Sequence, residues 1–244
     1  MRNIRLTVAY DGSAYHGWQR QDNALAVQEV IERALFKLIG ERITVNGCSR
    51  TDAGVHAREY VLSFGTESPI SCRGIVLGLN SRLPEDIAAL DCSEAPEGFH
   101  ARYSCTGKEY EYIVHNSRIR DPFLKSRAYR TTFHIDEEKL DRAAKSFVGE
   151  HDFKALCSAA CDKENTVRRI YRFDVRREGD RVIFTVSGSG FLYNMVRIMV
   201  GTLLFVNEGK IDEGELPEIL VSRDRTRAGK TVPPQGLYLV KVYY

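Results

Sequence analysis

Residues 4–10 read Ile4-Arg5-Leu6-Thr7-Val8-Ala9-Tyr10. Ile4, Leu6, Val8 and Tyr10 fall on one side of an extended chain and Arg5, Thr7 and Ala9 on the other, so the spacing predicts a half-buried strand. Working outward, Val27, Val30, Ile31, Ala34, Leu35, Leu38 and Ile39 recur at helical spacing, and Gly40 can end that helix. Strands are then predicted at about 42–46 and 59–65, a helix at about 71–80 and a strand at about 86–93. The order is βαββαβ.

The same order returns after the turn-like Ser104-Cys105-Thr106-Gly107. Tyr110, Tyr112 and Val114 alternate, and Asp136 is placed to cap a helix running to Val148 with Leu140, Ala143, Ala144 and Phe147 on one face. Arg168–Arg176 and Arg181–Ser187 read as a hairpin joined through Glu178-Gly179-Asp180. Phe191–Val206 is apolar nearly all round and reads as a buried helix. A short helix near 213–221 precedes a closing strand carrying Leu237, Leu239, Val240 and Val242. The expected fold is α+β, two ferredoxin-like βαββαβ halves (1–104 and 105–244) with antiparallel sheets backed by helices. Such sheets leave one face free to receive RNA.

Composition narrows the class. With 43% apolar and 28% charged residues the chain is close to globular averages. The most apolar window, Phe191–Val206, is interrupted by Asn194 and Arg197, which argues against a membrane span. The opening Met1-Arg2-Asn3-Ile4-Arg5 lacks a secretory pattern, so a cytoplasmic location is expected. Cys48, Cys72, Cys92, Cys105, Cys157 and Cys161 include no Cys-x-x-Cys, and reduced thiols are expected. The one conceivable metal set joins Cys157, Cys161 and His151; no bound metal is expected.

Net charge is only +2, but its distribution is uneven. Basic residues gather in three clusters of the second half. Arg118, Arg120, Lys125, Arg127 and Arg130 surround Asp121; Lys163, Arg168, Arg169, Arg172, Arg176 and Arg177 accompany Glu164 and Asp174; Arg223, Arg225, Arg227 and Lys230 flank Asp224. Three such clusters favour a phosphate-rich partner, although solvated surface charge explains any one alone.

The chemistry-bearing stretch is Ser49-Arg50-Thr51-Asp52-Ala53-Gly54-Val55-His56-Ala57. An Asp in a tight loop commonly only turns the chain. Here Arg50 precedes it by two residues, an apolar strand-like stretch leads in, and Gly54 relieves the backbone after it, as in loops that present reactive groups. Tyr10-Asp11-Gly12 with Gly17-Trp18-Gln19-Arg20 reads either as a turn with an aromatic plug or as a stacking face with polar donors. Lys108-Glu109-Tyr110-Glu111-Tyr112 sets both tyrosines on one strand face, to pack, to stack on a base or to move a proton. Arg197, in an otherwise apolar helix, requires a carboxylate or carbonyl partner, and an active-site Asp is the expected one. Gly229-Lys230-Thr231 lacks the upstream glycine of a phosphate-binding loop.

Together with His100-Ala101-Arg102-Tyr103-Ser104, Gly190-Phe191-Leu192-Tyr193-Asn194-Met195-Val196-Arg197 and the terminal Ala228–Leu237 segment, these motifs resemble the tRNA pseudouridine synthase A family, in family order and over essentially the whole chain. The resemblance implies the pseudouridine synthase fold and an isomerase, working as a homodimer without metal or organic cofactor. It implies tRNA as the substrate and a target uridine in the anticodon stem-loop, at tRNA positions 38, 39 and 40. It implies Asp52 as the nucleophile on a flipped nucleotide, Tyr110 as the residue stacked on the base, and Arg197 as the basic partner. Arg50, His56, Trp18, Gln19 and Leu237 are the substrate-contacting residues it implies.

Two other classes compete. A non-catalytic RNA-binding protein would function unchanged with Asp52→Asn. A zinc-dependent base deaminase would need His-x-Glu and Pro-Cys-x-x-Cys, and neither occurs.

Overall fold

The alternation at 4–10 builds β1 (Arg2–Tyr10), whose Ile4, Leu6, Val8 and Tyr10 are buried. The computed structural model describes residues 1–158 and 164–244. These form two units, Met1–Thr106 with Tyr238–Tyr244, and Gly107–Leu237.

The first unit continues with α1 (Val27–Ile39), β2 (Asn46–Gly47), β3 (His56–Thr66), α2 (Cys72–Asn80) and β4 (Ile87–Glu94). Strand β1 runs antiparallel between β3 and β4, and β2 lies on the far edge of β3. Further along that edge, Tyr238 and Leu239 pair in parallel with His56 and Ala57. Helix α1 buries Val27, Ile31, Ala34 and Leu35, and ends at Gly40, whose φ of 84° is a left-handed conformation that glycine adopts without strain. Helix α2 is capped by Ser71. It is tied to β4 by Asn80, which exchanges two 2.8 Å hydrogen bonds with the Ala89 backbone.

The strand expected at 42–46 is reduced to Asn46–Gly47. Two side chains of α1 take the place of a ladder: Glu32 accepts from Val45 N–H at 3.1 Å, and Gln28 donates to the Val45 carbonyl at 3.4 Å. With those groups satisfied, no neighbouring strand is needed.

The second unit holds β5 (Gly107–Asn116), β6 (Tyr129–Thr131), α3 (Glu137–Ala144), β7 (Gly149–Asp152), β8 (Val167–Glu178), β9 (Arg181–Gly188), α4 (Met195–Asn207) and α5 (Leu216–Ser222). Its sheet order is β5-β9-β8-β7, antiparallel throughout, with β6 added in parallel to the end of β5. The β8–β9 hairpin turns at Gly179-Asp180, as the sequence predicts.

Strands β6 and β7 were not expected. The helix from Asp136 stops at Ala144, tightens into a 3-10 turn at Lys145–Phe147, and leaves through Gly149 at φ 113° into β7. Helix α4 begins at Met195 rather than Phe191, because Asn194 takes a left-handed φ of 59° that no regular helix continues through. A closing strand, β10 (Leu237–Tyr243), follows. The sequence divides at 104/105, whereas Tyr238–Tyr244 groups with the first unit. The α+β class stands as expected, and the first half of the chain keeps the βαββαβ order; β6 and β7 add two strands to that order in the second half. Among the described residues no helix is long and apolar enough to cross a membrane.

Candidate active site

In the first unit, the loop after β1 and the Asp52 loop form one construction. A Cβ on Gly12 would lie 1.9 Å from the Val55 carbonyl oxygen; one on Gly17 would lie 2.4 Å from the Thr51 oxygen and 3.1 Å from the Asp52 carbonyl carbon. Only glycine permits these approaches, and Gly17 also has a φ of 84°. Hydrogen bonds fasten the contact: Trp18 N–H to Thr51 O at 3.1 Å, Gly54 N–H to Tyr15 O at 3.2 Å, and Tyr10 OH with Thr51 Oγ1 at 2.8 Å. The Asp52 backbone carbonyl closes a turn by accepting from Val55 N–H at 3.2 Å.

The same loop is anchored on its other side by α1. That helix has no side-chain cap, and the Gly17 and Trp18 carbonyls accept from Val27 and Gln28 N–H at 3.2 and 3.0 Å. Two of the N–H groups that a helix start leaves unpaired are thereby satisfied. Tyr15 adds an anchor through its hydroxyl, 2.6 Å from Asp86; burial first, and that carboxylate second, push its pKa well up.

Trp18 is 2% exposed and stacks on Tyr60 with ring centroids 3.9 Å apart. The reading of Trp18 as a stacking face for RNA is therefore corrected: the indole is the plug beneath the loop. His56 is likewise 2% exposed, stacked on Tyr238, with Nδ1 3.0 Å from Gly12 N and 3.1 Å from Asp11 Oδ1. As placed it orients the Gly12 backbone rather than presenting a ring to substrate. Gln19 is exposed and bonds Gln28 at 3.0 Å; Arg50 is exposed, and Asp52 half-buried.

In the second unit three motifs converge. Tyr110, on β5, is nearly buried and meets Phe191 edge-on at 5.1 Å. Tyr112, two residues on, donates its hydroxyl to Pro233 O at 2.7 Å; burial drives its pKa far up, against a smaller opposing effect of Arg197. Tyr112 is the structural member of the pair. Arg197 donates Nε to Val232 O at 2.8 Å and Nη1 to Asn194 Oδ1 at 2.6 Å, which supplies the carbonyl partner its setting demands.

The terminal segment reaches Arg197 because two glycines face each other. A Cβ on Gly201 would lie 1.8 Å from Lys230 O, and one on Gly229 would lie 2.4 Å from Gly201 O. Thr202 bridges the contact, accepting from Gly229 N–H at 2.9 Å and donating to Ile198 O at 2.8 Å. Leu237 is buried at the end of this segment. Asp52, Arg50, His56, Trp18 and Gln19 thus lie in the first unit, and Tyr110, Arg197 and Leu237 in the second. Gly12, Gly17 and Thr51 stand in the sequence only as members of motifs, and Thr202 and Val232 carry no sequence signal of their own; glycines recurring inside the motifs were the available signal.

The basic clusters separate. Arg172 pairs with Glu109 and Asp174, Arg176 with Glu111 and Glu178, and Arg177 with Glu137. Arg223 pairs with Asp152 and Arg227 with Glu218. Lys163 of the second cluster and Cys161 of the conceivable metal set lie outside the described residues. Among the described residues no group of three or more His, Cys, Asp or Glu is arranged to hold a metal ion.

The family model described as tRNA pseudouridine synthase matches residues 6–104 and 143–244. The tRNA pseudouridine synthase A of Ruminiclostridium cellulolyticum is 49% identical over 245 residues, covering all of both chains. Those of Acetivibrio thermocellus and Caldicellulosiruptor bescii are 47% and 45% identical over 244 residues, again over both full lengths. The chain belongs to the tRNA pseudouridine synthase family. It is an enzyme, an isomerase.

Proposed function

We propose that this isomerase converts uridine to pseudouridine in the anticodon stem-loop of tRNA, at positions 38, 39 and 40, with Asp52 as the nucleophile. The observation that carries the reading is the glycine-built clasp of Gly12 and Gly17 on the Thr51–Val55 backbone, which fixes the loop bearing a half-buried carboxylate. Fixing a reacting group is worth far more in rate than in stability.

The reaction conserves every atom. The Asp52 carboxylate adds to the flipped nucleotide at the sugar or at the base, the N–C glycosidic bond breaks, and the uracil turns within the pocket. Its C5 then bonds the sugar, the carboxylate leaves, and the C5 proton is lost as one returns to nitrogen. By motif resemblance Tyr110 holds the base and takes its ring proton, Arg197 supplies the positive charge that favours an ionised carboxylate, and Arg50 fills the gap left by the extruded base. Arg50 is exposed on the Asp52 loop. Leu237 packs beside the base. The working form is a cytoplasmic homodimer that needs no metal or organic cofactor.

The test uses unmodified tRNA transcripts carrying a single uridine at 38, 39 or 40, incubated with the purified chain without added metal or cofactor. Carbodiimide labelling and primer extension should give a new stop at each substituted position. Stops only outside the anticodon arm would overturn the site assignment.

A further inference from the structure

Four cations of the first basic cluster keep their charge available. Arg118, Arg120, Lys125 and Arg130 are all exposed and form no ion pair among the described residues. The one carboxylate inside the cluster, Asp121, caps the following turn by accepting from Phe123 N–H at 2.9 Å. Near Arg120 the recess toward the β8–β9 turn also holds Arg181, with Glu178, already paired with Arg176, and Asp180. Phe123 and Ile119 stand out from the same arm, 86% and 80% exposed. An exposed Phe ring among unpaired cations costs stability in water and gains something only against a partner that is both anionic and able to stack.

The arm also leads back to the site. Its far end, β6, carries Arg130 and Tyr129, and the Lys230 ammonium sits 3.1 Å from the Tyr129 hydroxyl and 5.4 Å from its ring centroid. Lys230 is exposed and lies two residues before Val232, whose carbonyl holds Arg197. Cations therefore follow one another along the second unit from the Arg197 support to the 118–130 arm.

We propose that residues 118–130 together with Lys230 form a cationic track that binds the RNA backbone beyond the target nucleotide, with Phe123 stacking on an unpaired base. Arg172, Arg176 and Arg177 of β8, paired with Glu109, Asp174, Glu111, Glu178 and Glu137, take no part. This rests on the proposed tRNA substrate and assigns the surface that holds it.

The test is tRNA binding as a function of salt, by fluorescence anisotropy with full-length tRNA. Replacing Arg118, Arg120, Lys125 and Arg130 together by Gln should weaken binding by at least about tenfold near 100 mM salt and flatten the plot of log affinity against log salt by about three units. Arg172→Gln with Arg176→Gln, a control on the paired cluster, should stay within about twofold with an unchanged slope. Phe123→Ala should weaken binding about fivefold or more without changing the slope, since stacking releases no counterions. Circular dichroism melting of each variant verifies folding, and Arg120→Gln with Lys125→Gln provides a milder series. An unchanged affinity and slope in the fourfold variant, or an equal effect in the control, would overturn the track. So would loss of self-association in sedimentation at unchanged tRNA affinity per subunit, which would make the arm a contact between copies. The substrate reading fails separately, if the unaltered chain makes no pseudouridine in the tRNA it binds.

Discussion

Gly12 and Gly17 show how much of this site is backbone. Gly12→Ala would force a methyl group to within 1.9 Å of Val55 O, so the Asp52 loop must move. Overpacking of this kind costs about 1–3 kcal/mol of stability, while a displacement near 1 Å at a reacting group costs on the order of 100-fold in rate. The expected result is a folded variant with kcat depressed far more than KM, measured by steady-state pseudouridine formation; wild-type kcat would show that the loop is not positioned by Gly12. Trp18 tests the plug in a different way. Trp18→Ala should lose about 3–5 kcal/mol of stability in urea titration, with tRNA affinity of the folded protein unchanged. A large affinity loss at intact stability would restore the stacking role. Sequence alone showed Trp18 beside polar donors and left both roles open; its contact with Tyr60, 42 positions away in the chain, decides between them.

Among the elements, α3 is fastened to β8 by charge as well as by its apolar face. Lys145 donates to Asp141 and Asp174 at 2.8 Å each, and Asp141 also accepts from Val175 N–H at 2.8 Å. Burial works against the Asp141 carboxylate, but these bonds hold its pKa below the usual value; burial likewise opposes the Lys145 ammonium, while the two carboxylates raise its pKa. A lowered carboxyl contributes stability above its unfolded pKa and loses it as pH falls through the folded value; a raised amine contributes below its unfolded pKa and loses it as pH rises through the folded one. The pair therefore stabilises between about pH 4 and pH 10. Lys145→Met should lower stability by no more than about 1 kcal/mol near pH 7, because both partners are well solvated, and that difference should vanish near pH 2–3. Urea unfolding at both pH values checks it, and a difference that persists in acid would assign the effect to the lost side-chain packing instead. The fold was legible wherever periodicity ran for two turns or several strand residues, as in β1, α1 and the Gly179-Asp180 hairpin. It was illegible where side chains stood in for a ladder, as Gln28 and Glu32 do at Val45, and where one positive φ moved a boundary, as Asn194 does ahead of α4.

For the whole molecule, near-neutral net charge hides an uneven surface. Counting charges along the chain placed Arg172, Arg176 and Arg177 in a basic cluster, because Glu109, Glu111 and Glu137, which pair with them, lie 40 to 65 positions away in sequence. Motif order was enough to reach the family and to single out Asp52, Tyr110 and Arg197, while the clasp that holds Asp52 and the exposure of Arg118, Arg120, Lys125 and Arg130 exist only in the folded chain. The proposed function rests on the Asp52 carboxylate as the nucleophile. Isomerisation replaces the hydrogen on uracil C5 with the sugar carbon, so tRNA made with tritium at C5 must release it to water. Under single-turnover conditions, with tRNA saturated by excess protein, wild-type chain should release tritium while Asp52→Ala and Asp52→Asn bind the tRNA but release it at least about a thousandfold more slowly. Tritium release by either variant at a rate near that of the wild type would exclude Asp52 as the nucleophile.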